Sequence, residues 1–347
     1  MGEAARLATI YDVAGAAGVS PSTVSRVFSR PGVVSAHTAE RVRTVAADLG
    51  YRAQSPTGEH RRTRAGTIAL VVPDATNPWY SSMMRGFEAA AADAGYTTLL
   101  ADTRESQATE RAALERVLPN VDGIILAGSR MNDRAIRTVA KQRPTVLLNR
   151  IASGNHCVVP DTDSGVRDAM AHLRGLGHTA VTYAGGPEES WDDGARWRAI
   201  LRLGSEFDIA GTRIGPFPPT LAGGLAAAAD IERQRPTAVI TYNDLLAIGL
   251  IRGLAAAGLR VPGQISVIGF DNVFAGELCH PALTTVAMPL RRMGITAFRQ
   301  LHRLMRGDPI GPSRHFMVPD TRLIVRESTG PGRDTGATTI AAEKEQP

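Results

Sequence analysis

Residues 20–28, which read SPSTVSRVF, place three serines, a threonine and an arginine within nine positions. Short hydroxyl groups can contact phosphates or base edges, and an arginine can donate two parallel hydrogen bonds to guanine O6 and N7. These residue types predict a surface for DNA on which Ser22 and Arg26 contact bases. We expect phosphate contacts from neighbouring hydroxyls, namely those of Thr23, Ser25 and Tyr11. Each hydroxyl has an alternative role in capping the local backbone, and for Ser25 both roles stay open.

A helix-turn-helix is the element that would present this surface. Thr9 can cap a first helix that carries one apolar stripe and ends at a glycine. Ser20, which we also count among the candidate DNA contacts, caps a second helix, and Pro21 occupies the first helical position, where its missing N–H costs nothing. A third helix is expected over residues 35–50. Together these helices predict a small all-α DNA-binding domain over residues 1–51.

The positive charge of the chain is concentrated near its N-terminus. Residues 1–66 contain nine arginines and five acidic residues, whereas the whole chain has 39 Lys and Arg against 34 Asp and Glu. A small basic head on a near-neutral body suggests a polyanionic partner for the head alone. A solvated basic face without a partner is the alternative, and charge by itself does not decide between the two.

The sequence of residues 9–51 is TIYDVAGAAGVSPSTVSRVFSRPGVVSAHTAERVRTVAADLGY. It contains, without a gap, the motifs D-V-A, A-G-V-S, T-V-S-R-V and V-S-x-x-T. This segment closely resembles the head of the LacI/GalR family of bacterial transcription repressors. The resemblance places the base-reading positions at Pro21, Ser22 and Arg26. Pro21 has no polar side-chain atom, so it can offer only shape or methyl contacts.

Residues 52–66 form the predicted hinge or linker. In the resembled family a short hinge helix folds on the operator and inserts a leucine into the minor groove. Here His60 aligns with that leucine, and Pro56 disfavours a helix. One interpretation is a hinge that orders on DNA, with Arg61 and Arg62 contacting phosphate or a narrow minor groove. The other, which we favour, is a flexible basic linker that contributes electrostatically.

From Thr67 onward, short apolar runs rich in β-branched residues alternate with helical stretches. This alternation predicts βαβ units, parallel sheets and two doubly wound lobes. No strand-to-helix transition resembles a Walker loop or a G-x-G-x-x-G turn, so nucleotide binding by those routes is unsupported. We assign residues 67–328 to this two-lobed α/β body and residues 329–347 to a disordered tail. The predicted strands are 67–72, 96–101, 122–127, 144–149, 178–185, 236–242 and 264–270.

Polar residues follow several of these runs, at the edge where parallel sheets bind their ligands. Carboxylates, amides and guanidiniums beside aromatic rings suit a small polyhydroxylated ligand. Some of the polar and aromatic residues that follow the strands have structural roles instead of ligand contacts. We interpret Asp163 and Asp244 as helix N-caps, and hydrophobic packing is an equal alternative for Trp79. The acidic cluster at Glu188, Glu189, Asp192 and Asp193 is interpreted as a solvated loop.

The motifs VVPDATNPWY, VDGIIL, TYNDLLAIG, GLRVPGQISVIGFD and PALTTV resemble the regulatory half of the LacI/GalR family, which shares its fold with periplasmic sugar-binding proteins. The resemblance covers residues 9–328. It implies a homodimer, contacting through the helices after Asn77 and Asp244, that binds a pseudo-palindromic double-stranded DNA operator. It also implies a small-molecule effector between the lobes, a carbohydrate by analogy. The implied effector contacts are Asn77, Trp79, Arg150, Asp161, Arg196, Asn243 and Asp271.

Other classes of protein are disfavoured by the sequence. Cys157 and Cys279 are far apart and fit neither a metal knuckle nor a disulfide framework. No apolar run approaches the ~20 residues of a membrane span, and no signal-peptide pattern is present, so we expect a cytoplasmic protein without cofactor or metal. HExxH and G-x-S-x-G motifs are also missing, which argues against an enzyme. The alternatives are a periplasmic-type binding protein and a sugar-modifying α/β enzyme.

Overall fold

The structure is a computed structural model and describes residues 8–29, 32–49, 51, 65–308 and 315–332. The chain divides into two compact units, with the boundary between Arg64 and Ala65. The backbone N–H groups of Ala65 and Gly66 both donate to the Asp122 carboxylate. These two residues therefore belong to the second unit and not to the linker in which the sequence prediction placed them.

The first unit contains the three predicted helices. Thr9 and Asp12 form a capping box at the start of the first helix, and Gly18 ends that helix in the left-handed conformation, with φ of 63°. The second helix starts after Ser20, whose hydroxyl accepts a hydrogen bond from the Thr23 backbone. Small and branched side chains such as Val24 close an apolar core between the helices. The helices are α1 (Ile10–Ala17), α2 (Pro21–Ser29) and α3 (Ala36–Asp48).

The second unit contains two six-stranded sheets, and all seven predicted runs are strands in them. The first sheet is parallel throughout, and its central strands are buried because helices cover both faces. Its strands, in spatial order, are β11 (His315–Val318), β5 (His156–Pro160), β4 (Thr145–Leu148), β3 (Gly123–Ala127), β1 (Thr67–Val72) and β2 (Thr97–Asp102).

The second sheet is parallel except for β12, which pairs antiparallel with β10. The chain passes between the sheets three times: after β5, after β10 and after β11. Its strands, in spatial order, are β12 (Arg322–Ile324), β10 (Thr284–Ala287), β9 (Ser266–Asp271), β8 (Ala238–Thr241), β6 (Ala180–Ala184) and β7 (Ala210–Ile214).

Helices connect the strands and pack on both sheets. Two pairs cross closely at glycines: a Cβ on Gly86 would lie 2.1 Å from the Arg291 carbonyl oxygen, and one on Gly224 would lie 2.1 Å from that of Leu246. Among the described residues, no helix is long and apolar enough to span a membrane. The helices of this unit are α4 (Pro78–Asp93), α5 (Gln107–Val117), α6 (Asp133–Ala140), α7 (Thr162–Gly175), α8 (Trp191–Phe207), α9 (Leu221–Gln234), α10 (Asp244–Ala256), α11 (Ala275–Leu278) and α12 (Leu290–Arg306), with a 3-10 turn at Leu118–Asn120.

The sequence prediction of a disordered tail from residue 329 is wrong for its first four residues. The Thr329 hydroxyl lies 2.9 Å from His172 Nε2, and the Gly330 carbonyl oxygen lies 3.1 Å from His178 Nε2. The Gly332 N–H donates to the Leu176 carbonyl. The Gly- and Thr-rich composition suggested a solvated chain, but its backbone groups find partners on the body. Residues 333–347 lie outside the described part of the chain.

Candidate functional site

The exposed face of α2 carries the side chains that were predicted to read DNA. Ser22 and Arg26 are exposed and one helical turn apart, while Val24 and Val27 are buried beneath them. Tyr11 on α1 is 73% exposed. This geometry leaves two side chains of one helix face available for base edges, while the predicted base and phosphate contacts themselves stay predictions.

One of the predicted DNA-contacting hydroxyls, that of Ser20, caps α2 and pairs with two neighbouring hydroxyls. The Ser20 hydroxyl lies 2.8 Å from that of Ser22 and 2.9 Å from that of Thr23, in addition to capping the helix. Pro21 and Ser25 are half-buried. The predicted linker contacts Arg61 and Arg62 lie outside the described residues.

A cavity lies between the carboxyl ends of the strands in the two sheets. Its volume is about 20 Å³, enough for one or two water molecules. Four lining residues follow strands of the first sheet, and four follow or end strands of the second. The lining residues are Asn77, Trp79, Tyr80, Asn149, Asp192, Tyr242, Asn243 and Asp271.

Four of the seven predicted effector contacts lie in this lining: Asn77, Trp79, Asn243 and Asp271. Two of them also cap helices. The Asn77 side chain accepts from the Trp79 N–H, and the Asn243 side chain accepts from the Leu246 N–H while it donates to the Pro219 carbonyl. Both amides are thereby fixed in orientation at the cavity wall.

Arg196, the fifth predicted contact, is almost completely buried beside the cavity. Its Nη2 donates to Asp192 Oδ2 at 2.5 Å, and its Nη1 donates to the Tyr242 carbonyl oxygen. The guanidinium carbon lies 3.8 Å from the centre of the Phe270 ring, a cation–π contact. Burial opposes the charge of Arg196, but the combined attraction of Asp192, Asp271 and two tyrosines outweighs burial and raises the pKa of the guanidinium.

The remaining two predicted contacts have other partners. Arg150 donates to the Ser129 carbonyl at 2.6 Å and to the Asp133 carboxylate at 2.9 Å, and it is not part of the cavity lining. Asp161 is the N-cap of α7, where its carboxylate accepts from the Ser164 N–H. In place of Arg150 the neighbouring Asn149 lines the cavity.

Two interpretations of acidic residues are wrong. Asp163 and Asp244 are not N-caps, since the caps of α7 and α10 are Asp161 and Asn243. The predicted solvated loop is only partly solvated, because Asp192 and Asp193 are buried in the first turn of α8. Their sequence looks hydrophilic, yet each carboxylate is matched by an arginine from its own helix or from a neighbouring strand.

Three polar atoms around the cavity have no hydrogen-bond partner among the described residues: Asn149 Oδ1, Asp192 Oδ1 and Arg196 Nε. Leaving a buried polar group unpaired costs about 1–3 kcal/mol each. Asn149 and Asp271 also have positive φ, 57° and 120°, which is strained for residues other than glycine. The cavity wall therefore keeps unsatisfied groups that a hydroxylated ligand can pair.

Asp271 and Asp244 form a buried acidic pair at the end of β9. Asp244 is fully buried and accepts from the Thr285 hydroxyl at 2.5 Å and from the Val273 N–H at 2.8 Å. Burial raises the pKa of Asp244 to about 7, against the lowering effect of these hydrogen bonds. Burial and the Asp244 charge raise the pKa of Asp271 as well, and Arg196 partly offsets the rise.

A second arginine near the cavity was not found from the sequence. Arg130 follows β3, is buried, and pairs with Glu105 at 2.6 Å between Nε and Oε2. Burial raises the pKa of both Tyr80 and Tyr242, and the charge of Arg130 partly offsets the rise. Arg130 thus lies beside two tyrosines that come from opposite walls of the cavity. No motif in the sequence distinguishes it from a surface arginine.

Comparison with known proteins extends these observations to the whole chain. Residues 9–54 match the family described as bacterial regulatory proteins, lacI family, and residues 170–329 match a periplasmic binding protein-like domain. The HTH-type transcriptional repressor CytR of Escherichia coli (strain K12) is 33% identical over 332 residues, which cover 93% of this chain and 96% of CytR. The chain belongs to the lacI family of bacterial regulatory proteins.

Two solved structures of transcriptional regulators are similar to this chain over more than nine tenths of its length. The lac repressor dimer bound to operator and the anti-inducer ONPF has a TM-score of 0.67 and 25% identity, over 94% of this chain and all of that one. The complex of the transcriptional regulator CelR with cellobiose has a TM-score of 0.65 and 27% identity, over 92% of this chain and 99% of that one.

The chain is therefore a DNA-binding transcriptional regulator with a helix-turn-helix head and a periplasmic-binding-protein-like effector domain. Three relatives that match 82–93% of this chain are transcriptional regulators and not enzymes, which confirms the prediction that this protein is not an enzyme. The family match over residues 9–54, which form the helix-turn-helix head, also excludes the alternative of a periplasmic-type binding protein.

Proposed function

We propose that this regulator represses transcription as a homodimer on a pseudo-palindromic operator, and that a carbohydrate bound between the two sheets controls its affinity for DNA. The observation that carries the proposal is the cavity built from both sheets, with unpaired polar atoms on each wall at Asn149 and Asp192. Relatives support the choice of ligand, because CelR is in complex with cellobiose. The aromatic rings of Trp79 and Tyr242 supply faces on which a sugar ring can stack.

Control of DNA affinity follows from the two-walled construction of the site. A ligand larger than the present cavity must separate the walls or move side chains such as Tyr80 and Tyr242, and the three chain crossings allow such movement. Effector binding then changes the relative angle of the two lobes. The resulting coupling to DNA is a free energy of about 1–3 kcal/mol in typical cases, and it acts equally in both directions.

An apolar patch on the second lobe supports a dimer. Phe274 and Leu278 are 68% and 78% exposed, and Leu225 on α9 is also exposed. Leu278 also lines a groove between α10 and α11. We assign this face to a second copy of the chain, because a two-fold regulator matches a two-fold operator and the lac repressor is a dimer in its operator complex.

In the DNA-reading head, we propose that Arg26 supplies the main base contact and Ser22 a second one. The test is a gel-shift titration of genomic fragments, with selected and random duplexes compared at several salt concentrations. We expect Arg26→Ala to lose its preference for the selected fragment by about tenfold to a hundredfold, since a bidentate base contact contributes about 1–3 kcal/mol of discrimination. Residual, salt-sensitive binding should remain.

The control is Arg137→Ala, which removes an exposed arginine of α6 and should leave the preference unchanged. An Arg26→Ala protein that still prefers the selected fragment contradicts the assigned role of Arg26.

The carbohydrate is tested on the same fragment with a panel of pentoses, hexoses and disaccharides. If no sugar changes DNA affinity, the proposed control by carbohydrate is wrong, while DNA recognition stands on its own measurement.

A further inference from the structure

Four arginines near the cavity each pair with a carboxylate, although none of them is among the residues that line it. Two of these pairs lie within the first lobe and two within the second, so each lobe neutralises its own charges. The nitrogen–oxygen distances are 2.6 Å for Arg130–Glu105, 2.9 Å for Arg150–Asp133, 2.5 Å for Arg196–Asp192 and 2.6 Å for Arg213–Asp193.

The residues that line the cavity add no positive charge. Among the eight lining residues none is lysine or arginine, whereas Asp192 and Asp271 are acids. Asp244 lies behind Asp271 and is a further acid. An anionic ligand would therefore enter a site without an uncommitted cation, and it would be desolvated there beside two or three carboxyl groups.

The unpaired atoms of the cavity favour the same kind of ligand. On the lining residues the unpaired atoms are two acceptors, Asn149 Oδ1 and Asp192 Oδ1, and beside the lining Arg196 Nε is an unpaired donor. Arg150 Nε is also unpaired, but Arg150 lies outside the lining. Hydroxyl groups of a ligand can donate to the two acceptors and accept from the donor. A phosphate or carboxylate group offers only acceptors at neutral pH, so it would meet two acceptors that it cannot satisfy.

We infer that the cavity takes an uncharged, hydroxyl-rich ligand and rejects its phosphorylated counterpart, and that Glu105 is a specificity residue because it neutralises Arg130 beside the cavity. This inference rests on the proposed function of the cavity as the effector site. It defines the ligand more narrowly, since free sugars and sugar phosphates are both carbohydrates that a regulator can sense.

The test is isothermal titration of the full-length protein with matched pairs: ribose and ribose 5-phosphate, glucose and glucose 6-phosphate, galactose and galactose 1-phosphate. We expect at least one neutral sugar to bind, and to bind at least tenfold more tightly than its phosphate ester. Equal or tighter binding of the phosphorylated member overturns the inference. Binding of no member of any pair also overturns it. A gel shift on the same preparation reports DNA binding separately, so a failed ligand assignment is distinguished from a failed regulator.

Glu105→Gln tests the role of the individual residue. The substitution keeps the size of the side chain but frees the charge of Arg130, so the preference for the neutral sugar over its phosphate should fall at least tenfold. The matched control is Glu206→Gln, which removes the carboxylate from the exposed Arg167–Glu206 pair and should keep the preference of the parent protein. An unchanged preference in Glu105→Gln refutes the role of Glu105. If that variant does not fold, the paired titrations of the parent protein still decide the ligand class.

Discussion

Asp192→Asn tests how much the buried ion pair beside the cavity contributes to the free energy of unfolding. The side chains of Asp192 and Arg196 are 6% and 1% exposed, and the two charges lie 2.5 Å apart. Removing one partner of a buried ion pair costs about 3–5 kcal/mol because the other charge stays in the interior. An asparagine can still accept one hydrogen bond from Arg196, so we expect a loss at the lower end, about 3 kcal/mol.

Thermal unfolding of the full-length protein, together with urea unfolding, measures this loss. For a unit of this size 1 kcal/mol corresponds to about 2 °C, so the expected decrease in Tm is about 6 °C. Glu206→Gln, which breaks an exposed pair, is the control and should show no measurable change. A loss below about 1 kcal/mol would refute the reasoning, since Arg196 would then be compensated by the Tyr242 carbonyl and the Phe270 ring alone.

A double variant separates charge burial from packing. Asp192→Leu combined with Arg196→Met removes both charges and keeps apolar volume in their place, and such replacements are often neutral or stabilising. We expect the double variant to be more stable than Asp192→Asn. If the double variant is less stable, the attraction between Asp192 and Arg196 contributes more free energy than the burial of the two charges costs.

Two further predictions concern the acidic pair and the dimer face. The pKa of Asp244 is about 7 in the folded protein against an ordinary 3.8, so its stabilising contribution is complete below about pH 4 and is lost as the pH rises through about 7. Asp244→Asn should therefore reduce the fall of the urea midpoint between pH 5 and 8, with Asp271, whose pKa is also raised by burial, accounting for the remaining fall. Parallel profiles for the two proteins would contradict this. Combined Phe274→Asp and Leu278→Asp substitutions should convert a dimer into a monomer in sedimentation velocity, whereas an unchanged sedimentation coefficient places the interface elsewhere.

The sequence alone determined the helix-turn-helix and most of the strands of the body. Helix α1 is defined by Thr9, by the capping box with Asp12 and by the left-handed Gly18, all of which are contacts within a few residues. The buried parallel strands are also readable, because burial on both faces demands continuous apolar runs. The edge strand β7 was not predicted, since its sequence AGTRI is mostly exposed and carries no such run.

Only the tertiary structure decided which polar residues form the cavity. Asn149 rather than its neighbour Arg150 lines the wall, and the acidic residues at the start of α8 are buried instead of solvated. These outcomes depend on partners far away in the chain: Arg196 donates to a carbonyl 46 residues later, and Arg130 pairs with a carboxylate 25 residues earlier. The local sequence shows which residues are polar, but it does not show which of them are buried. The free energy of burying a charge depends on a partner that only the fold brings within hydrogen-bond distance.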